Sequence, residues 1–306
     1  MLKCNPNKIK TVAFFAICLI NVSMAIAQED LLKELEGDQP KNYPVIATFK
    51  SSRIINGQSI ETRKSGALEF IISHRFGRVN SGIENFFGLD DAYIRLGFDY
   101  AVNDNFTIGI GRSSFNKTYD GFLKYKLVKQ KSSGGSPISI TAFTSAAIDT
   151  QDPPEGLDIE YRHDMAYVSE ILFARKFSQS FSMQLMPVWV HRNLVPTPEY
   201  TNDVFALGVA GRQKISNRTA LTFEYYYQLN NTTPEVNYNA LGIGFDIETG
   251  GHVFQVHLTN SRGIIEKEII PNTNGDFFGG DIHIGFNIIR VFQLKKSKLD
   301  IPEEGY

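Results

Sequence analysis

The side chains able to do chemistry in this chain of 306 residues are strung along alternating runs rather than gathered into a motif. Glu69, Arg75, Arg95, Asp99, Lys124, Lys126, Glu170, Arg212, Glu224, Asp246, Gln255, His257, His283 and Asn287 each stand on the polar side of such a run. Acids and bases occur among them in similar number, which leaves two roles. They form a structural network of ion pairs, because a lone charge taken out of water is costly. Alternatively they line a charged constriction that selects small polar or zwitterionic solutes. A strong preference for anions or for cations does not follow from such a mixture.

The histidines raise two further chemistries. His257 and His283 face the same way on neighbouring segments, but the spacing fixes no carboxylate or third histidine beside them, and a metal needs several convergent ligands. Hydrogen-bonded structural histidines are therefore expected, and no cofactor. His74, His191 and His252 fall on apolar sides near segment ends, the level of a lipid headgroup. A lipid hydrolase on this surface would need an outward serine bonded to a histidine that a third polar group orients. His191 with Asn193 is the best fragment of such a triad, and no serine stands at a matching position. No enzyme is expected.

These residues must be positioned by strands. In Asp91 to Tyr100, Asp91, Tyr93, Arg95, Gly97 and Asp99 alternate with Ala92, Ile94, Leu96, Phe98 and Tyr100, a period of two. Ala220 to Leu229 and Asn239 to Ile247 repeat the pattern. The same reading gives strands near 66–75, 90–100, 105–114, 118–129, 138–148, 163–176, 181–192, 203–215, 219–229, 238–248, 251–260 and 279–291, twelve in all. Their faces separate least in 138–148 and 163–176. Tight turns fall at Asn103-Asp104-Asn105, Ser178-Gln179-Ser180, Ser216-Asn217-Arg218 and Thr249-Gly250-Gly251, and longer connections alternate with them. Two joints break the alternation: Phe115 to Lys117 is short and Gln130 to Pro137 is long.

Even strand number with short turns at one rim and long loops at the other describes an outer-membrane barrel. A soluble sandwich would show the same alternation with its apolar faces turned inward. Two features favour the membrane: small residues such as Gly109, Gly111, Gly208, Gly242, Gly244 and Gly285 sit on the polar faces, where a crowded lumen would need them, and aromatic residues gather near strand ends. Charge is nearly balanced, with 31 basic and 33 acidic residues, so the phosphate-neutralising patch of a nucleic-acid binder is missing.

Residues 1–27 read as an export signal: Lys3, Lys8 and Lys10 lead, Val12 to Ile20 is apolar, and Ala25-Ile26-Ala27 offers a cleavage site. Removing them takes both cysteines, Cys4 and Cys18, and leaves 28 basic against 33 acidic residues. No later run approaches the roughly 18 apolar residues of a spanning helix. Residues 28–65 read as a periplasmic extension with a short helix over Glu29 to Glu36, or as a partial plug whose Lys50 and Arg53 pair with acids of the wall. Residues 66–292 are the barrel and 293–306 a solvated periplasmic tail.

Short motifs in a fixed order complete the reading. His74-Arg75-Phe76-Gly77, Thr118-Tyr119-Asp120 before Lys124-Tyr125-Lys126, His191-Arg192-Asn193, Glu224-Tyr225-Tyr226, Gly250-Gly251-His252-Val253-Phe254-Gln255, Gly285-Phe286-Asn287 and Arg290-Val291-Phe292 resemble an uncharacterised β-barrel family of Bacteroidota, a domain of unknown function. The resemblance spans residues 45–292 and implies an outer-membrane barrel with no established activity. The expectation is a closed antiparallel transmembrane β-barrel of about twelve strands, with short periplasmic turns and longer extracellular loops. Its expected role is porin-like passage of a small polar solute. A non-transporting docking barrel, with Phe76 to Leu89 and Ser261 to Phe278 as contact surfaces, is the chief alternative, and a lipid hydrolase a lesser one. Its partners would be outer-membrane lipid, the barrel-insertion machinery and that solute, with no nucleic acid.

Overall fold

The computed structural model describes residues 43–151, 163–233 and 236–295. The export segment, the expected helix over Glu29 to Glu36 and the tail beyond 295 lie outside them.

Twelve antiparallel strands close on themselves, each paired with its neighbours in sequence and the first with the last. They are β1 (Ala67–Arg78), β2 (Ala92–Ala101), β3 (Phe106–Ser113), β4 (Tyr119–Val128), β5 (Ser139–Ile148), β6 (Met165–Lys176), β7 (Phe181–Arg192), β8 (Asp203–Lys214), β9 (Thr219–Gln228), β10 (Ala240–Thr249), β11 (His252–Thr259) and β12 (His283–Gln293). Closure removes the unpaired edge that an open sheet would present, and only closed barrels and helices satisfy every backbone group in lipid. Each of the expected runs became a strand, including 138–148 and 163–176.

Side-chain direction decides against a sandwich. Ile94, Leu96, Phe98, Ile108, Ile110, Leu123, Phe205, Phe245 and Val256 are exposed on the outside, whereas Arg95, Asp99, Lys124, Glu224 and Asp246 are buried within. The register also explains the blurred faces of β5 and β6. Their inner sides carry Phe143, Val168 and Leu172, and their outer sides carry Thr144 and Ser169. Those two hydroxyls stay satisfied in an apolar setting, because Thr144 Oγ1 donates to the Val168 carbonyl at 3.0 Å and lies 3.3 Å from Ser169 Oγ.

Three of the short turns use one device. Asn103 Oδ1 accepts from the amides of Asn105 and Phe106, Ser178 Oγ from Ser180 and Phe181, and Ser216 Oγ from Arg218 and Thr219. The two irregular joints have separate causes. The long link after β4 pairs with the incoming chain: the Val45 amide donates to the Gln130 carbonyl at 2.8 Å, and Pro44 bridges Lys131. The short link Phe115–Lys117 lies beneath the 260–282 loop, whose Arg262 stacks on the Tyr93 and Phe115 rings.

Candidate functional site: an occluded lumen

The lumen is filled from both ends. From the short-turn end, residues 48–61 enter as a hairpin: the Ile54 amide donates to the Gly57 carbonyl, Ser59 to Ser52, and Arg53 bridges Gln58. Asn56-Gly57 stands in the tip, a dipeptide favoured where a chain doubles back. The sequence carries that signal plainly, in a segment expected as a periplasmic extension or a partial plug. Gly57 is needed for space, since a Cβ there would lie 1.8 Å from the Tyr226 hydroxyl.

Polar side chains of the wall grip the hairpin by its backbone. The Glu224 carboxylate accepts from three successive amides, Ile55 at 3.1 Å, Asn56 at 2.9 Å and Gly57 at 3.1 Å. Hydrogen bonds to an ionised acceptor are about twice as strong as neutral ones. Gln255 donates to the Ile54 carbonyl at 2.8 Å, Asn287 to Ile55 at 2.9 Å and Gln184 to Gln58 at 2.7 Å. Lys124 reaches the Ser52 carbonyl at 3.3 Å, and Arg75 donates to Asn56 Oδ1. Ser52 donates to Asp99 at 3.4 Å.

From the long-loop end, residues 260–275 fold inward around a helical turn, Glu266–Ile269, which packs against β6 and β7. Arg192 holds Asn272 at 2.8 Å and Asn237 holds the Pro271 carbonyl at 2.8 Å. Ile269 and Ile270 are fully buried. The docking alternative made the 261–278 loop a contact surface; its run Ile264, Ile265, Ile269 and Ile270 is covered by the barrel, while Phe278 at its far end stays exposed. The two fillers touch: Arg53 Nη1 lies 3.0 Å from Glu266 Oε1, and Gln58 donates to the same oxygen at 3.3 Å.

The remaining expected lumen residues sort into pairs and exceptions. Glu69 binds Arg63 at 2.5 Å, Arg95 binds Asp120 through two nitrogens at 2.9 and 2.5 Å, and Lys126 lies 3.9 Å from Glu61. Arg212 lies 3.0 Å from Glu248 and 4.0 Å from Asp246. Lys50 meets the wall acid Glu248 at 2.9 Å as expected, but Arg53 meets the loop acid Glu266, not a wall acid. Reach explains it: the hairpin climbs far enough to meet the descending loop. Glu170 has no hydrogen-bond partner on either carboxylate oxygen. His283 Nδ1 donates to the Phe76 carbonyl at 2.8 Å, whereas neither nitrogen of His257 is bonded. Among the described residues no cluster of three or more His, Cys, Asp or Glu could hold a metal.

Glycines on the inner face make room for the large groups. A Cβ at Gly109 would meet Phe122 at 2.1 Å, one at Gly111 would meet Arg95 at 2.1 Å, and one at Gly285 would meet Arg75 and His257 at 2.4 Å. On the outside, His191 is oriented by Asp203 at 2.8 Å, which also accepts from Trp189 at 2.9 Å. Asp203, and not Asn193, is thus the orienting acid, and among the described residues no serine hydroxyl is bonded to His191.

A family model for a membrane-bound β-barrel domain matches residues 49–292. The chain belongs to that family, DUF5777. The matched span of the DUF5777 chain runs from the second residue of the hairpin to the last residue but one of β12. No curated protein matches this sequence. Among solved structures, the NanC porin is similar at a TM-score of 0.45 and 7% identity, covering 73% of this chain and 98% of its own. The outer-membrane phospholipase A of Escherichia coli scores 0.42 at 9% identity, covering 73% of this chain and 92% of its own. The COG4313 outer-membrane channel of Pseudomonas putida F1 scores 0.43 at 13% identity, covering 76% and 98%. The DUF5777 chain is a membrane-bound β-barrel.

Proposed function

We propose that this barrel is a gated conduit for small solutes across the outer membrane and that the structure described is its shut state. The observation that carries this reading is the polar seat of the hairpin tip, three amides on Glu224 and three carbonyls on Gln255, Asn287 and Gln184. A permanent filler gains most from apolar contact, because polar groups moved out of water regain in the protein only what they lost. The tip can exchange these hydrogen bonds for water, which lowers its share of the cost of withdrawal, while Phe49, Ile54, Ile55 and Ile60 of the same hairpin give up apolar contact. Withdrawal would leave Arg75, Lys124, Glu224 and their neighbours lining the passage. Outer-membrane lipid around the exposed wall, assistance from the barrel-insertion machinery and the lack of a hydrolytic activity belong to the same reading.

Planar-bilayer recording tests it. The unaltered chain is expected to be mostly silent. Full-length Gly57→Val, whose side chain collides with Tyr226, and Glu224→Gln, which weakens the amide grip, are expected to conduct. If both variants fold, as judged by heat-modifiable gel migration, and both stay silent, the conduit reading is wrong.

A docking barrel is favoured by one feature. Ile83, Phe86 and Phe87 project from the 79–91 loop with 76%, 58% and 49% of their surface exposed. A co-purifying protein lost on Phe86→Ser and Phe87→Ser, together with silent opened variants, is the outcome that would favour this second reading.

A further inference from the structure

The inner wall is not evenly polar. On β1 to β4 and β9 to β12 it carries Glu69, Arg75, Arg95, Asp99, Glu224 and Asp246, but on β5 to β7, between Thr141 and Gln184 towards one end and Arg192 at the other, it carries Phe143, Val168, Leu172, Met186, Val188 and Val190, none more than 4% exposed. Inside that apolar sector stands one carboxylate, Glu170. Its register partners are Phe143 and Val188, and its neighbours on the same face of β6 are Val168 and Leu172. It is 1% exposed, and neither oxygen finds a hydrogen bond. Glu224 and Glu266, and the cations Arg53 and Lys124, face it from other elements and reach it only through their fields.

What now covers this sector shows what it accommodates. The hairpin lays Phe49, Ile54, Ile55 and Ile60, and the inward loop Ile269 and Ile270, into the same cluster as Phe143, Val168, Leu172 and Met186, and the hairpin brings with them the Arg53 guanidinium, paired with Glu266. An apolar surface with a cation attached occupies an apolar wall with a carboxylate in it. A carboxylate ringed by apolar side chains rejects anions and gains most from a cation that sheds its water beside it. When the hairpin leaves, Glu224 and Glu266 also lose their donors, which makes the passage more acidic.

Resting on the conduit reading, we propose that the solute is a cationic amphiphile, with its aliphatic or aromatic body against β5 to β7 and its positive head at Glu170. This narrows the small polar solute expected from the alternation alone.

The test uses full-length Gly57→Val and Glu224→Gln in planar bilayers carrying potassium current, with three permanently charged probes: hexyltrimethylammonium, tetramethylammonium and hexanesulfonate. Hexyltrimethylammonium is expected to reach half-block at concentrations at least about tenfold below tetramethylammonium, the gain from burying roughly two methylenes, and at least about tenfold below hexanesulfonate, which shares the hexyl chain and differs in the sign of its charge. In the opened background, Glu170→Gln is expected to abolish the discrimination between hexyltrimethylammonium and hexanesulfonate while preserving the advantage of the hexyl chain over tetramethylammonium. Leu172→Gln is expected to do the reverse. Conducting variants that all three probes block equally, or that hexanesulfonate blocks best, overturn the solute class and leave the conduit standing. Folded variants that pass no current overturn the conduit and the solute class together.

Discussion

Arg53 and Glu266 form a buried ion pair 3.0 Å long at the level where a hairpin entering from one mouth meets a loop entering from the other. The guanidinium also donates to the Asn56 carbonyl, and the carboxylate also accepts from Gln58. Removing either partner strands a charge among apolar side chains, at a cost of about 3–5 kcal/mol. Arg53→Ala and Glu266→Ala are each expected to speed proteolysis of the hairpin in detergent-solubilised barrel. The double variant is expected to be no more labile than the worse single one, because the two changes remove one interaction. Additive labilities would show that the two fillers are held independently.

Gly111 and Gly121 face opposite sides of the wall and differ in the room they leave for bulk. Gly111→Val pushes against Arg95 Nη2, which a Cβ would approach to 2.1 Å, and disrupts the bidentate Arg95–Asp120 pair. Gly121 looks outward, with its nearest potential neighbour at 3.7 Å. Gly111→Val should therefore lower stability by about 2–4 kcal/mol, and Gly121→Ala by less than about 1 kcal/mol. Urea unfolding of the two variants in the same detergent compares them directly, and equal losses would contradict the crowding of the inner face.

Alkaline pH is expected to loosen the loop seal. Glu268 lies in the inward loop, where burial raises its carboxyl above the ordinary 4.5, offset in part by Lys267 and by the amides of Ile264 and Ile265. Its contribution to stability is complete below the ordinary value and is lost as pH rises through the raised one. Hydrogen exchange across residues 261–275 should be faster at about pH 8 than at about pH 5 beyond the intrinsic base-catalysed rate. Glu268→Gln should flatten that excess; an unchanged excess would assign it to another group.

The outer His191–Asp203 pair is expected to be structural. Asp203→Asn keeps a hydrogen-bond acceptor for Trp189 and for His191. The variant should retain the fold within about 1 kcal/mol, and neither it nor the unaltered chain should release fatty acid from phospholipid micelles. Hydrolysis lost on His191→Ala would instead make this pair the core of an active site.

The alternation of Leu96, Phe98, Phe223 and Phe245 with Arg95, Asp99, Glu224 and Asp246 was enough to give strand number, closure and the direction of each side chain. A period of two reports which face a residue takes and carries nothing about what it meets across the lumen. Glu224 could thus be assigned to the interior, but its grip on three hairpin amides depends on residues almost 170 positions away. Asp120, the partner of Arg95, stood in the Thr118-Tyr119-Asp120 motif at a strand start, where too few alternating neighbours precede it to assign it to the lumen. Glu266 was hidden in a loop because an inward fold leaves no periodic trace. The blurred faces of β5 and β6 were themselves the signal of an apolar inner sector, since Val168 and Leu172 reverse the rule that the lumen side is polar. Asn56-Gly57 was the one local marker of the hairpin.

Both stems of the hairpin are fastened at the short-turn mouth, one through Val45 on Gln130 and the other through Arg63 on Glu69. A stopper tied to its own bottle cannot drift off or be diluted. Reseating is an intramolecular event with an effective concentration in the millimolar range, so the fraction of time spent open should not depend on how many barrels share the membrane. On the proposed gating, each molecule would set its own duty cycle, and a cell would alter traffic through it by changing the tether or by supplying something that competes for the seat.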